Sequence, residues 1–283
     1  NSHISMIVFK KKEELADYLL SQKNHSIGFV PTMGSLHQGH ISLILQSKKK
    51  CSITVCSIFI NPTQFNDIND FKKYPKNITT DLKLLETAGC NIVYTPLYND
   101  LYKENEQAKN YEFNGLENHL EGKHRSGHFN GVATIVEKLF RVIKPNYAFF
   151  GEKDLQQLVI IKSLVKSIGM NIVITGCPTT RDENGLALSS RNTLLSKEDL
   201  LYSSIIYKQL LFCKKNYSNT SIIELKNSII KNLTKSKKIE IDYFEFVELD
   251  TLQTIAAIKK ERKYAACIAV KISGVRLIDN IIL

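Results

Sequence analysis

Two histidines, His37 and His40, lie three residues apart in the stretch VPTMGSLHQGH, residues 30–40. Gly34 and Gly39 lie in the same stretch and would let a ligand approach the backbone closely. A helix beginning near His40 would present free N–H groups to an anion, and imidazoles beside a phosphate can donate hydrogen bonds to developing charge. This pattern indicates phosphate chemistry, and helix capping by a histidine is the alternative.

Other kinds of site fit this stretch less well. A metal site would need at least one further ligand, and no HExxH motif or neighbouring carboxylate pair supplies it. The segment GSLHQGHI has the glycine spacing of a Walker A loop, but His-Ile stands where Lys-Ser/Thr belongs, which disfavours a P-loop kinase. The absence of G-x-G-x-x-G also disfavours a dinucleotide-dependent oxidoreductase.

Three further stretches carry polar residues suited to the same chemistry. Lys153 in FFGEKDLQQL could neutralise phosphate oxygens, and Arg191 in TRDENGLALSSRN offers planar donors to them. Asn61 and Gln64 in SIFINPTQF are neutral amides that could hold a hydroxyl or a carboxylate. Each stretch taken alone is equally compatible with a solvated turn or a helix cap.

The elements that must position these residues alternate between strand and helix patterns over the first two-thirds of the chain. The strand candidates are residues 27–30, 53–60, 91–96, 146–151 and 171–176. The helix candidates are residues 13–22, 40–50, 79–89, 131–144 and 154–169. This alternation predicts an α/β fold with a Rossmann-like, doubly wound parallel sheet, whose ligands bind outside the carboxyl ends of the strands.

The pattern changes near residue 179, where two helical runs are followed by three strand-like runs without long crossovers. This predicts a smaller α+β domain with an antiparallel sheet. The expected organisation is a Rossmann-like domain at 6–179 and a smaller C-terminal domain at 180–283. Residues 1–5 are interpreted as a tag remnant.

Composition sets the broad class of the protein. Hydrophobic residues make up 43% and charged residues 23%, as in ordinary globular proteins, and no apolar stretch approaches the roughly 18–20 residues of a membrane span. With no secretory signal pattern, a cytoplasmic location is expected. The net charge of +10 suggests anionic ligands, but the lysines are dispersed and no basic arm is evident.

The six cysteines are scattered in mostly apolar surroundings and form no CxxC pair. This pattern is typical of buried, reduced thiols that pack as small hydrophobic side chains. It argues against a disulfide framework or a zinc site.

Taken together, six segments closely resemble the pantoate–β-alanine ligase family over nearly the whole chain. In order they are PTMGSLHQGH, SIFINPTQF, DFKKYP, LEGKHRSGHFNGV, FFGEKDLQQL and GLALSSRN. A wider similarity connects LHQGH and LSSRN to the HxGH and KMSKS-type motifs of nucleotidylyltransferases and class I aminoacyl-tRNA synthetases. One departure is Ser126, which follows Arg125 where family sequences usually have proline, so no role is assigned to Arg125 or to His128.

The resemblance implies that the chain joins pantoate to β-alanine with ATP through a pantoyl adenylate, releasing AMP and pyrophosphate. It implies catalytic roles for His40, His37, Lys153 and Arg191, and pantoate binding by Gln64 and Gln157. The implied ATP-binding residues are Met33, Gly34, Ser35, Leu36, His37, Gln38, Gly39, His40, Gly151, Glu152, Lys153, Asp154, Thr180, Leu188, Ser189, Ser190 and Arg191. Magnesium is expected with the triphosphate, with Asp81 the only nearby carboxylate to consider as its ligand.

The same resemblance implies a homodimer that acts on small molecules, without nucleic acid or membrane as a partner. Two alternatives stay open at this point. A nucleotidylyltransferase of the same fold would leave AMP on its product, and an RNA-binding protein would use the positive charge for steeply salt-dependent binding.

Overall fold

The computed structural model describes residues 6–259 and 261–283, so the interpretation of residues 1–5 as a tag remnant lies outside the described residues. The chain divides into two compact units. The first comprises the described residues up to Phe113, together with Arg125–Glu152 and Ile160–Pro178. The second comprises Asn114–His124, Lys153–Val159 and the described part of Thr179–Leu283.

The first unit contains a six-stranded parallel sheet. Its strands are β1 Ile7–Phe9, β2 Ile27–Thr32, β3 Ile53–Ile58, β4 Ile92–Tyr94, β5 Tyr147–Gly151 and β6 Val173–Cys177, in the spatial order β1-β4-β3-β2-β5-β6. The central strands β2 and β3 are buried along nearly their whole length, as expected for a parallel sheet covered on both faces. Five of these strands coincide with predicted ones. β1 was not predicted, because three residues are too short for a periodic pattern.

Helices lie between these strands along the chain. They are α1 Lys12–Ser21, α2 Gln38–Lys50, α3 Ile68–Lys73, α4 Ile78–Thr87, α5 Tyr98–Leu101, α6 Leu120–His124, α7 His128–Ile143 and α8 Leu155–Ser167. The longest of these, α7, is buried on most of its surface, which follows from its run of apolar residues. Short 3-10 turns occur at Pro62–Gln64, Leu116–Asn118 and Glu152–Asp154. The doubly wound parallel architecture predicted from the sequence is confirmed.

The second unit contains a three-stranded antiparallel sheet. Its strands are β7 Ile239–Glu248, β8 Tyr264–Ile272 and β9 Val275–Ile282, in that spatial order, with helices α9 Lys197–Asn216 and α10 Ile222–Leu233. A 3-10 helix at Ser190–Leu194 precedes α9. Leu210, Ile229, Phe246 and Ile268 are among the apolar side chains that pack together as the core of this unit. The predicted α+β architecture with an antiparallel sheet is confirmed.

All six cysteines are buried and free, as their apolar surroundings predicted. Among the described residues, no helix is both long and apolar enough to cross a membrane.

Candidate functional site

The order of the strands defines where the first unit can bind a ligand. From β2 the chain moves outward through β3 to β4 and then returns to β5 on the other side of β2. Strands β2 and β5 are therefore direct neighbours, with Gly28 opposite Tyr147 and Phe29 opposite Ala148. In open parallel sheets, ligands bind in the crevice at this reversal, outside the carboxyl ends of the strands. The predicted phosphate-binding stretch begins at that end of β2.

The loop after β2 is held by a buried carboxylate. Gly34 has a φ of 82° and Ser35 a φ of 52°, both in the left-handed region, so this turn needs specific support. Asp81, which is 3% exposed on α4, accepts the backbone N–H of Ser35 at 2.9 Å and that of Leu36 at 2.8 Å. Both carboxylate oxygens thus accept backbone hydrogen bonds. Asp81 anchors the loop that leads into His37.

The two histidines cap the helix that follows this loop. Nδ1 of His37 accepts a hydrogen bond from the backbone N–H of Gly39 at 3.1 Å, and Nδ1 of His40 accepts one from the backbone N–H of His37 at 3.3 Å. Together they form a reciprocal capping box, so α2 begins at Gln38, two residues earlier than predicted. The capping interpretation of the histidines is therefore correct in itself.

Capping also determines how the two rings can meet a ligand. A nitrogen that accepts a hydrogen bond carries no proton, so the neutral form of each ring bears its proton on Nε2. The ring centroids of His37 and His40 are 4.2 Å apart. The two rings thus lie together at the N-terminus of α2, where the helix dipole favours an anion. The capping bonds use Nδ1 of each ring, so capping by itself does not exclude phosphate binding.

Gln64 lies in a network that fixes the orientation of its amide. Asn61, only 1% exposed, donates through Nδ2 to Oε1 of Gln64 at 3.0 Å and to the backbone oxygen of Gly131 at 3.1 Å. Oδ1 of Asn61 accepts from the hydroxyls of Thr63 at 3.1 Å and Tyr102 at 2.8 Å. Asn61 is thereby fully used inside the protein. Oε1 of Gln64 is therefore occupied, and further contacts of this amide go through the two N–H groups of Nε2.

The Nε2 atom of Gln64 lies 3.2 Å from Sδ of Met33. The amide donor and the first residue of the predicted ATP-binding stretch are therefore in contact. His128 supports the same turn, because its Nδ1 lies 2.8 Å from the backbone oxygen of Gln64. The sequence left His128 unassigned, and its structural role is to hold Gln64.

Lys153 and the predicted Gln157 belong to one segment of the second unit, Lys153–Val159, which also contains Gln156. The side chain of Lys153 is 18% exposed, and its ammonium lies 3.5 Å from the carboxylate of Asp154. Gln156 is buried and donates through Nε2 to the backbone oxygens of Leu116 at 2.8 Å and His119 at 2.7 Å. Gln156 is therefore structural, whereas Gln157 beside it is partly exposed.

The stretch that carries Arg191 begins with a β-hairpin, residues 180–188. The backbone N–H of Leu188 donates to the backbone oxygen of Thr180 at 2.9 Å, and the turn is closed by Gly185 with a φ of 90°. Ser189 then accepts the backbone N–H of Arg191 at 3.2 Å and caps the 3-10 helix. The hairpin and its cap give the Ser189–Arg191 segment a defined backbone.

The structure distributes the predicted site residues between the two units. The first unit contains Met33, Gly34, Ser35, Leu36, His37, Gln38, Gly39, His40, Gln64, Gly151 and Glu152. The second contains Lys153, Asp154, Gln157, Thr180, Leu188, Ser189, Ser190 and Arg191. Within the first unit, contacts join the loop after β2 to Gln64. The functional roles of all these residues stay predictions.

The sequence did not predict several contacts that shape these loops. It did not indicate that Asp81 anchors the loop after β2 or that Gln156 binds inside the protein. It also gave no role to Arg181, Asp279 and Asn280 of the second unit. A polar residue inside an apolar helix or strand pattern was the available signal for Asp81 and Asp279. That signal marks burial but does not identify the distant partner.

The side chains do not form a magnesium cage of their own. Among the described residues, no group of three or more histidines, cysteines and acidic residues could hold a metal ion. Asp81, the carboxylate considered from the sequence, uses both oxygens to hold Ser35 and Leu36. Within the described part of the chain, the side chains therefore do not fit a dedicated Mg²⁺ site.

Comparison with known proteins identifies relatives over almost the whole chain. The family model described as Pantoate-beta-alanine ligase matches residues 7–282. The pantothenate synthetase of Flavobacterium psychrophilum is 42% identical over 98% of this chain and 99% of its own. The pantothenate synthetase of Azobacteroides pseudotrichonymphae is 45% identical over the same shares.

Solved structures give the same result. The crystal structure of pantothenate synthetase from Thermus thermophilus aligns with a TM-score of 0.90 at 34% identity, covering 98% of this chain and 99% of that one. Pantoate-beta-alanine ligase from Francisella tularensis, described as complexed with beta-gamma ATP and beta-alanine, aligns with a TM-score of 0.80 at 35% identity, covering 98% and 97%. With the family model matched from the first strand to the last, the chain belongs to the pantoate–β-alanine ligase family.

Proposed function

We propose that this protein condenses pantoate with β-alanine, using ATP and forming a pantoyl adenylate. In the first step, a carboxylate oxygen of pantoate attacks the α-phosphorus of ATP and pyrophosphate leaves. In the second, the amine of β-alanine attacks the acyl carbon, losing a proton, and AMP leaves with the carbonyl restored. Neither step needs a protein nucleophile, so positioning and electrostatic stabilisation carry the catalysis.

The observation that carries this proposal is the contact between Gln64 and Met33. The amide of Gln64, whose Oε1 accepts from Asn61, contacts Met33 through Nε2, in the loop that leads to the two capping histidines. A donor amide suits the carboxylate or hydroxyl of pantoate, and the Nε2–H groups of the histidines suit phosphate oxygens. Acyl adenylate formation requires these two binding functions to be adjacent, because the carboxylate must reach the α-phosphorus.

The remaining predicted residues take consistent roles in this scheme. Lys153 and Arg191 would neutralise phosphate oxygens, and His37 and His40 would donate to charge building on the phosphates. Gln157 would provide a second contact to pantoate. Because pyrophosphate is a good leaving group at neutral pH, a hydrogen-bond donor at His40 is sufficient, and transfer of its proton is not required.

Magnesium would accompany the triphosphate rather than occupy a cage of carboxylates. Mg²⁺ commonly keeps several waters and binds through substrate phosphates with few protein ligands. No step of the proposed chemistry is assigned to a protein-bound metal.

The experiment that tests the function is pantoate-dependent exchange between ATP and pyrophosphate. Exchange that requires pantoate, followed by release of AMP in step with pantothenate when β-alanine is added, supports the ligase. A product that retains AMP would instead indicate a nucleotidylyltransferase. Salt-dependent RNA binding without exchange would indicate an RNA-binding protein.

Replacement of Lys153 by alanine should lower the rate of pantoate-dependent exchange by about 100-fold or more, the scale of losing one preorganised donor. An unchanged exchange rate would show that Lys153 has no part in the mechanism.

From its family membership we also propose that the protein forms a homodimer and is located in the cytoplasm. Light scattering coupled to gel filtration would test the dimer, since a monomer mass of 32.2 kDa would contradict it. Fractionation of cells that express the protein would test its location.

A further inference from the structure

Two neighbouring polar residues, Asp279 and Asn280, are buried near the end of the chain. They lie on β9, which is an edge strand of the described sheet and pairs there with β8, and they are 4% and 7% exposed. Burial of polar groups is costly unless they find hydrogen-bond partners. Their partners lie on the two segments of the same unit that carry the predicted phosphate ligands.

Asn280 holds the backbone of Lys153. Its Nδ2 donates to the backbone oxygen of Lys153 at 2.9 Å. Lys153 lies in the three-residue 3-10 turn Glu152–Asp154, between β5 and α8. The contact with Asn280 thus holds the backbone from which the Lys153 side chain projects.

Asp279 holds the 180–188 hairpin. Its carboxylate makes a two-pronged ion pair with Arg181, with N–O distances of 2.6 and 2.9 Å. The same guanidinium lies 3.7 Å from the centroid of the Tyr207 ring and donates to the backbone oxygen of Gly185 at 3.1 Å. Arg181 bridges to Ala187 across the hairpin. Asp279 thus fixes the segment that leads into Ser189–Arg191.

The two contacts reach different segments because successive side chains of a strand point to opposite faces. The backbone N–H of Asn280 also donates to Oδ1 of Asp279 at 2.8 Å, which ties the pair together. Burial raises the pKa of Asp279, and the positive charges of Arg181 and Lys153 act in the opposite direction. The pair is thus coupled to Lys153 both through the backbone and through charge.

We propose that Asp279 and Asn280 form a support that positions Lys153 and the 180–188 hairpin for phosphate binding. Asn280 is a positioning residue that acts through Lys153 and does not itself touch the substrate. The inference rests on the proposed function, since Lys153 is assigned there to the phosphates of ATP.

The first test is Asn280→Ala in the full-length protein. Loss of the partly buried hydrogen bond to the Lys153 carbonyl should lower kcat for pantoate-dependent exchange by about 10-fold. The KM for pantoate should stay within about twofold, because the proposed pantoate residues Gln64 and Gln157 are both retained. A matched control is Ser203→Ala, which removes a buried hydrogen bond of 2.6 Å to the backbone of Asp199 in the same unit. It should lower Tm with exchange retained.

The second test separates positioning from a general structural role. In the Lys153→Ala background, Asn280→Ala should change exchange by less than about twofold, because residues acting as one unit are not additive. An equal loss in both backgrounds, or behaviour of Asn280→Ala like that of Ser203→Ala, would overturn the proposal. If the alanine variant does not fold, Asn280→Ser, which keeps a small polar group, takes its place with the same expectations.

Binding of ATP distinguishes failure of this inference from failure of the proposed function. If the wild type shows no exchange, the ligase function is wrong. The affinity for ATP, measured by calorimetry, then still tests the proposed role of Asp279 and Asn280. Weaker ATP binding by Asn280→Ala than by the wild type is the expected result, and equal binding overturns the proposal.

Discussion

Replacement of Asp81 by asparagine tests whether this carboxylate organises the loop before the two histidines. The wild-type Asp81 carboxylate accepts hydrogen bonds from the backbone N–H groups of Ser35 at 2.9 Å and Leu36 at 2.8 Å. Asp81 is 3% exposed. The asparagine amide keeps one acceptor and turns an N–H₂ group toward the other backbone N–H. One charge-assisted hydrogen bond is lost, at a cost of about 1.5–3 kcal/mol.

That cost falls on a turn already in the left-handed region at Gly34 and Ser35. About 1.36 kcal/mol corresponds to a factor of 10 in an equilibrium constant. The equilibrium between the loop bound by residue 81 and the loop detached from it should therefore shift by about 10- to 150-fold toward the detached state. The capping box depends on the position of His37, so the two Nε2–H donors lose their alignment. We expect pantoate-dependent exchange to fall by about 10- to 100-fold, which reaches the lower end of the roughly 100- to 1,000-fold loss known for removal of one preorganised donor.

The assay is the rate of exchange at saturating pantoate, with circular dichroism and Tm as checks of folding. A matched control is Asp100→Asn, because Asp100 accepts the backbone N–H of Lys12 at 2.9 Å and the hydroxyl of Tyr94 at 2.5 Å near the edge strand β1. This control should lower Tm and keep the exchange rate. Exchange by Asp81→Asn within twofold of wild type would refute the anchoring role. Full recovery at high Mg²⁺ would show instead that Asp81 is a metal ligand.

Three further outcomes follow from the same geometry. In His40→Asn, the side-chain oxygen replaces the cap acceptor Nδ1 but not the donor Nε2–H, so exchange should fall about 100-fold with Tm little changed; a retained rate with a lower Tm would restrict His40 to capping. Gln64→Ala should raise the KM for pantoate by about 10-fold or more through loss of a donor to a charged group, and a rise in the KM for ATP alone would contradict the assignment. Burial raises the pKa of the Cys177 thiol from 9.0 to about 11 and that of Cys213 to about 12, so at pH 8 the Cys177 thiolate should be about 100-fold scarcer than in the unfolded chain. Colorimetric thiol titration should therefore be slow in the native protein and fast in denaturant, and rapid labelling of all thiols in the native state would contradict this burial.

Local patterns in the sequence were sufficient to predict the class of fold. The alternation of apolar strand and helix segments determines a parallel sheet, because each segment must bury one face or both faces against its neighbours. Five of the six strands of that sheet and the antiparallel strands of the second unit followed from such patterns. The three-residue strand β1 did not, since its place is set by pairing with β4 and not by its own periodicity.

The site shows the same division. The residue types and spacing in LHQGH, SIFINPTQF and SSRN indicated phosphate and carboxylate binding, because these groups demand particular donors at close spacing, and the resemblance of six segments to one family implied the reaction. Only the tertiary structure decided how those donors are held: Asp81 lies more than forty residues from the loop it anchors, and Asn280 more than a hundred from Lys153. Hydrogen-bond partners at such separations are chosen by packing of the whole chain, which no local pattern encodes.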